Sequence, residues 1–138
     1  MQRHETEEQK VIMVVDDTPS NLQYAIQVLG DRYKVVPVKS GEAALAAMER
    51  ILPDLILLDI EMPQMDGYET MNRIRSVERT ASIPVIFLTA HSDMDNELKG
   101  FQLGAVDFII KPFVPQIMLA RVSTQIELSD YRHRLEKL

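Results

Sequence analysis

The sequence predicts an α/β domain, a parallel sheet of five strands with helices on both faces. Two observations predict it. Short, solid apolar runs recur along the chain, and between them lie longer stretches whose apolar residues repeat at helical spacing. Solid runs are what strands buried on both sheet faces require, and strands alternating with helices build right-handed parallel βαβ units. At 138 residues the chain suits one core rather than two.

The first strand is Val11 to Val15, all apolar. Thr18 then offers an N-cap and Pro19 takes the first helical position, with Leu22, Ile26 and Leu29 as the inner stripe and Gly30 as the stop. Tyr33 to Val36 is a shorter second strand, and Ser40 caps a helix rich in Ala43, Ala44, Ala46 and Ala47. Leu55 to Leu58 is the third strand. Asp66, with Glu69 three residues on, has the form of a capping box for the third helix. Pro84 to Leu88 is the fourth strand, Ser92 and Asp95 start the fourth helix, and Val106 to Ile110 is the fifth strand. Pro115 to Leu138 reads as one long last helix.

Composition narrows the classes of function. Hydrophobic residues make up 46% and charged residues 26%, an ordinary globular balance. There is no cysteine, hence no disulfide and no thiolate metal site, which fits the cytoplasm. No apolar run approaches the roughly 20 residues that span a bilayer, and the polar opening MQRHETEEQK has no secretory character. It reads as a flexible tail over residues 1–9, with His4 in solvent. A net charge of −6 disfavours direct nucleic-acid binding, which needs a basic face.

The chemically suggestive residues fall at the strand ends. Asp16 and Asp17 follow strand one, Asp59 strand three, Thr89 strand four and Lys111 strand five. In an open α/β sheet, ligands bind outside the carboxyl ends of the strands, so these residues converge on one rim. Any one of them could be a turn former; the set of them is harder to explain that way. Two carboxylates about 4 Å apart repel by roughly 4 kcal/mol at an effective dielectric of 20. A hard divalent cation such as Mg²⁺ removes that conflict and suits an all-oxygen site. A carboxylate beside such a cation can serve as a nucleophile on phosphorus. Lys111 would balance phosphoryl oxygens, and the Thr89 hydroxyl would donate to another.

Four segments, VVDDTPSN, LILLDIEMPQMDGYE, PVIFLTAH and VDFIIKPF, together resemble the receiver family of two-component response regulators. The likeness runs from about Lys10 to Arg121, which sets a receiver domain at 10–122 and a helical extension or linker at 123–138. It implies the flavodoxin-like (βα)5 fold with strand order 2-1-3-4-5. It further implies Asp59 as phospho-acceptor, and Mg²⁺ held by Asp17 and Asp59, by the backbone carbonyl of Glu61 and, through water, by Asp16. Thr89 and Phe108 fall at the switch positions, Lys111 at the phosphate-contacting position, and Lys111-Pro112 would be cis. Met62-Pro63 and Gly67 shape the acceptor loop, Gly67 through backbone angles that other residues avoid.

Three side chains carry two readings each. Phe108 is either the aromatic that turns inward when Thr89 moves or an ordinary apolar residue near a strand end. Glu61 and His91 either border the water that hydrolyses an acyl phosphate or point into solvent; no second nitrogen ligand makes His91 a metal site. Met62 and Met65 read as packing.

In the last helix, Leu128, Tyr131, Leu135 and Leu138 repeat at spacings of three, four and three, as in a coiled-coil seam. The alternative is a charged, solvated helix end. The composition of residues 121–138 also resembles linkers that lead into an output domain.

These observations favour a signalling domain that catalyses its own phosphorylation without being an enzyme in the usual sense. Its donor would be a histidine kinase, a phosphotransfer protein or a small acyl phosphate. A homodimer is expected through helix four, strand five, helix five and the extension. Two other readings are a dehalogenase-like phosphatase, which wants a DxDxT arrangement after strand one where this chain has Asp16-Asp17-Thr18, and an interaction module without chemistry.

Overall fold

A computed structural model describes residues 9–90 and 94–138, the first three of the latter by backbone only. Five strands, β1 (Val11–Val15), β2 (Lys34–Val38), β3 (Leu55–Asp59), β4 (Val85–Thr89) and β5 (Asp107–Ile110), form one parallel sheet in the order β2-β1-β3-β4-β5. The helices are α1 (Pro19–Leu29), α2 (Gly41–Ala47), α3 (Gly67–Ser76), α4 (Met94–Gln102) and α5 (Pro115–Glu136).

Side chains along a strand alternate between faces, and that splits the core in two. Ile12, Val14, Leu55, Leu57, Ile86 and Leu88 face α1 and α5, where Leu22, Leu29, Met118, Val122 and Ile126 meet them. Met13, Val15, Ile56, Leu58, Val85 and Phe87 point the other way, onto Ala44, Met71 and Ile74. Every residue of β3 and β4 is buried, as the solid apolar runs require.

The boundaries differ from expectation in instructive places. Strand two is Lys34–Val38 rather than Tyr33 to Val36, and it continues through Pro37. It lies at the sheet edge, where one row of backbone groups needs no partner and proline is tolerated. Gly30 ends α1 in a right-handed conformation (φ −67°), its N–H donating to Ile26 O, so no left-handed cap forms. The Thr18 side chain makes no capping bond; its N–H instead donates to Asp16 Oδ1 at 2.9 Å. Ser40 caps α2 as expected, accepting from Ala43 N–H at 3.0 Å. Only half of the expected capping box exists. Asp66 accepts from Glu69 N–H at 2.9 Å, while the Glu69 carboxylate takes Arg73 at 3.1 Å. Ser92 lies outside the described residues.

Helix α5 crosses residue 123 without a break and has two faces. Met118, Val122 and Ile126 bury one against the sheet, and Lys10 Nζ holds Asp130 Oδ1 at 2.7 Å further along. Leu128, Tyr131 and Leu135 stand exposed. Among the described residues no helix is long and apolar enough to cross a membrane. Because Ile126 is buried and Leu128 is not, Ile126→Ala should lower unfolding free energy by about 2–3 kcal/mol. Leu128→Ala should stay within about 0.5 kcal/mol; urea unfolding of both variants reads the difference.

Candidate functional site

The strand order brings the rim residues together. β1 and β3 are neighbours, so Asp16 and Asp17, just past the end of β1, face Asp59 at the end of β3. Carboxylate oxygens from Asp16, Asp17 and Asp59 all lie within 4.8 Å of one another. Lys111, one residue beyond β5, reaches across Thr89 to this cluster. Its Nζ lies 3.0 Å from Asp59 Oδ1 and 3.3 Å from Asp16 Oδ2, and its backbone N–H donates to Thr89 O at 2.8 Å. Thr89 is buried at the end of β4, and the Lys111-Pro112 peptide is cis.

Asp16 is buried and fully engaged. Besides Lys111 it accepts from Thr18 N–H at 2.9 Å and from the Asn21 amide at 3.2 Å. Sequence reasoning missed Asn21 and the turn at Thr18, although both lie in the VVDDTPSN segment. Their donors let a carboxylate persist inside the fold. Asp59 has less help: Glu61 N–H donates to its Oδ1 at 3.3 Å. Burial, and then the charge of Asp16, push the Asp59 carboxyl up to about 6 against the pull of Lys111. Burial alone would lower the Lys111 ammonium, but its hydrogen bond to Asp59 and the charges of Asp59 and Asp16 raise it instead.

The set fits a hard cation. Three oxygen-donor side chains converge, and one ammonium leaves most of their charge unbalanced. The Glu61 side chain is exposed and lies outside that trio. His91 lies outside the described residues.

Two expectations change in detail. Gly67 is the first residue of α3 and is not in a left-handed conformation; the positive φ of the loop falls on Gln64, at 70°. Glycine is needed at 67 for close approach, since a Cβ there would lie 2.4 Å from Asp59 O and 2.7 Å from Ile60 Cα. Phe108 is already inside, 4% exposed, in a row of rings with Phe87 (5.8 Å) and Phe101 (5.1 Å). Gly100 of α4 makes the socket, because a Cβ there would sit 2.4 Å from the ring. Having no hydroxyl, the ring loses no hydrogen bond by going in.

Residues 12–123 match the family model of the response regulator receiver domain. The chain belongs to that family. Among curated relatives, it is 42% identical over 119 residues to a "Probable cyclic di-GMP phosphodiesterase" of Vibrio cholerae, covering 86% of this chain and 27% of that protein. It is 36% identical over 122 residues to the "DNA-binding dual master transcriptional regulator RpaA" of Synechocystis, covering 86% of this chain and 50% of that one. The receiver thus spans half or less of the length of these relatives. Its fold superposes on the chemotaxis protein CheY4 of Vibrio cholerae with a TM-score of 0.81 at 28% identity, covering 85% and 98% of the two chains. On the beryllofluoride-activated DrrB receiver domain the TM-score is 0.78 at 35% identity, covering 87% and 99%. Membership of the receiver family sets aside the dehalogenase-like reading.

Two outcomes test this geometry. The Asp59 carboxyl is raised above its ordinary 3.8, so its favourable contribution to folding is complete below about pH 4 and lost as pH rises through about 6. Without metal, Asp59→Asn should therefore be more stable than the unaltered chain above pH 6, by up to about 3 kcal/mol. That advantage should shrink between pH 6 and 4; urea midpoints in EDTA measure it, and a less stable variant at pH 8 would contradict the electrostatics. Gly67→Ala should cost about 2 kcal/mol by overpacking against the Asp59 backbone, read in the same unfolding experiment.

Proposed function

We propose that this receiver accepts a phosphoryl group on Asp59 from the phosphohistidine of a histidine kinase or phosphotransfer protein, or from a small acyl phosphate. The observation that carries the reading is the position of the Asp59 carboxylate, 3.0 Å from Lys111 and within 4.8 Å of the Asp16 and Asp17 oxygens. An Asp59 oxygen attacks phosphorus, the bond from phosphorus to the donor's imidazole nitrogen or acyl oxygen breaks, and the donor leaves with that electron pair. The product is an aspartyl phosphate. With its pKa near 6, Asp59 is largely ionised at neutral pH and ready to attack.

The side chains contribute position and charge, which dominate such transfers. Lys111 faces phosphoryl oxygens and the Thr89 hydroxyl donates to another. Held by Asp17 and Asp59, the Glu61 backbone carbonyl and, through water, Asp16, Mg²⁺ would neutralise charge on the transferred group. The chain promotes its own modification and is a signalling domain rather than an enzyme acting on separate substrates. Thr89 and Phe108 carry the response. Because Phe108 already fills the inward socket, we assign the movement to α4, which packs on that ring through Gly100, rather than to an inward swing.

A cytoplasmic setting follows from the proposed kinase partner. The two relatives named above, a phosphodiesterase and a DNA-binding regulator, support an output domain that receives the signal through α5. The acidic surface argues against the receiver itself binding nucleic acid. A homodimer through α4, β5, α5 and the extension is supported by exposed Leu98, Phe101, Ile110, Val114 and Ile117 on that side.

Incubation with acetyl phosphate and Mg²⁺ should add one phosphoryl mass, located on Asp59, and Asp59→Asn should gain none. Lys111→Ala should slow labelling by about tenfold or more. An unlabelled native chain would leave only the interaction-module reading.

A further inference from the structure

Lys111 reaches Asp59 and Asp16 from a short irregular connection. β5 ends at Ile110 and α5 starts at Pro115, so residues 111–114 belong to neither. Pro112 and Pro115 carry no backbone N–H, which leaves this stretch short of donors to hold its shape. An ammonium on a flexible stem is only as well placed as the backbone that carries it. One side of the connection is fastened by Lys111 N–H, which donates to Thr89 O at 2.8 Å. The other side is fastened by a residue 89 positions earlier in the chain. The Tyr24 hydroxyl donates to the Phe113 carbonyl at 3.1 Å, and the two rings meet with centroids 5.8 Å apart.

We infer that Tyr24 is a positioning residue for phosphoryl transfer, its hydroxyl fixing the connection from which Lys111 meets the phosphoryl oxygens. The inference rests on the phospho-acceptor reading of Asp59 and adds a residue of α1 to it. Tyr24 acts through Lys111 rather than on the reacting atoms.

The same helix holds the other end of the Lys111 bridge. Lys111 Nζ lies 3.3 Å from Asp16 Oδ2, and the Asn21 amide donates to that same oxygen at 3.2 Å. Asn21 and Tyr24 stand three apart on α1, as neighbours on one side of the helix. Leu22, Ala25 and Leu29, all buried, anchor that helix to the sheet. One rigid element therefore sets both Asp16 and the backbone beside Lys111. The contacts close a circuit from Tyr24 to Phe113, along the chain to Lys111, across to Asp16 and back through Asn21. Phosphoryl transfer depends steeply on such placement, since a shift of about 1 Å can cost roughly a hundredfold in rate. Tyr24→Phe keeps the ring against Phe113 and removes only the hydroxyl, so it opens the circuit at one known bond.

The test is the rate at which the whole chain gains phosphoryl mass from acetyl phosphate and Mg²⁺. A small donor needs no docking surface, so a change in rate reports on the site itself. Tyr24→Phe should slow labelling by about fivefold. In a Lys111→Ala background the same substitution should change the rate by less than about twofold, because the group it positions is gone. Mg²⁺ affinity, read by calorimetry, should be the same with and without the hydroxyl. Equal slowing in both backgrounds, or a parallel loss of Mg²⁺ affinity, would show that Tyr24 merely steadies the fold and would overturn the inference. Unslowed labelling of Tyr24→Phe overturns it as well. So does a loss confined to transfer from a phosphorylated histidine protein, which would make Tyr24 a docking contact. Where the unaltered chain labels normally, these results bear on Tyr24 alone. An unaltered chain that gains no phosphoryl mass sinks the phospho-acceptor reading, and this inference with it.

Discussion

The rim of this domain depends on one ammonium group between two buried carboxylates. Lys111 Nζ touches Asp16 and Asp59 together, at 3.3 and 3.0 Å, where burial and mutual repulsion both oppose their charge. Two such carboxylates in contact cost about 4 kcal/mol at an effective dielectric of 20. The fold meets that cost with Lys111, with two further donors on Asp16 and with one backbone N–H on Asp59. Asp59 accepts fewer hydrogen bonds than Asp16, and a carboxylate poorly satisfied by its surroundings is the one able to gain from a new bond. The same clustering of oxygen donors suits a hard cation, whose charge would relieve their repulsion.

The packing around Lys111 also joins the rim to a distant face. The backbone of Lys111 is bonded to Thr89, and three residues earlier Phe108 sits in the socket left by Gly100. The Phe108 carbonyl in turn holds Arg121 on α5. Asp59 is thus connected through contacts of van der Waals or hydrogen-bond length to α4 and α5. Close-packed interiors pass on small displacements because they have no slack to absorb them. Helix α5 then continues as an unbroken rod past the receiver core, with one face committed to the sheet and Leu128, Tyr131 and Leu135 exposed on another.

Much of this was legible in the residues. The solid runs at Val11 to Val15, Leu55 to Leu58 and Pro84 to Leu88 named three buried strands, because only a strand covered on both faces tolerates such runs. The strand-end positions of Asp16, Asp17, Asp59, Thr89 and Lys111 pointed to one rim, since parallel strands present all their carboxyl ends to the same side. The strand order itself came from family resemblance; periodicity carries no information about which strands are neighbours.

What tertiary structure alone decided is a matter of contacts between segments far apart in the chain. The necessity of glycine at 67 comes from the Asp59 backbone passing within 2.4 Å of the missing Cβ, and not from a turn angle readable nearby. Phe108 lies inside because Gly100 leaves a space for it, and no local pattern pairs those two residues. The Glu69 carboxylate pairs with Arg73 at 3.1 Å rather than with the helix cap, a choice between two partners that the spacing of Asp66 and Glu69 leaves open. The two faces of α5 were likewise both present in the spacing of its residues, but only the packed sheet showed which one it would bury. Local sequence determines which backbone conformations and which apolar stripes are available. Close packing and charge compensation between distant segments select among them.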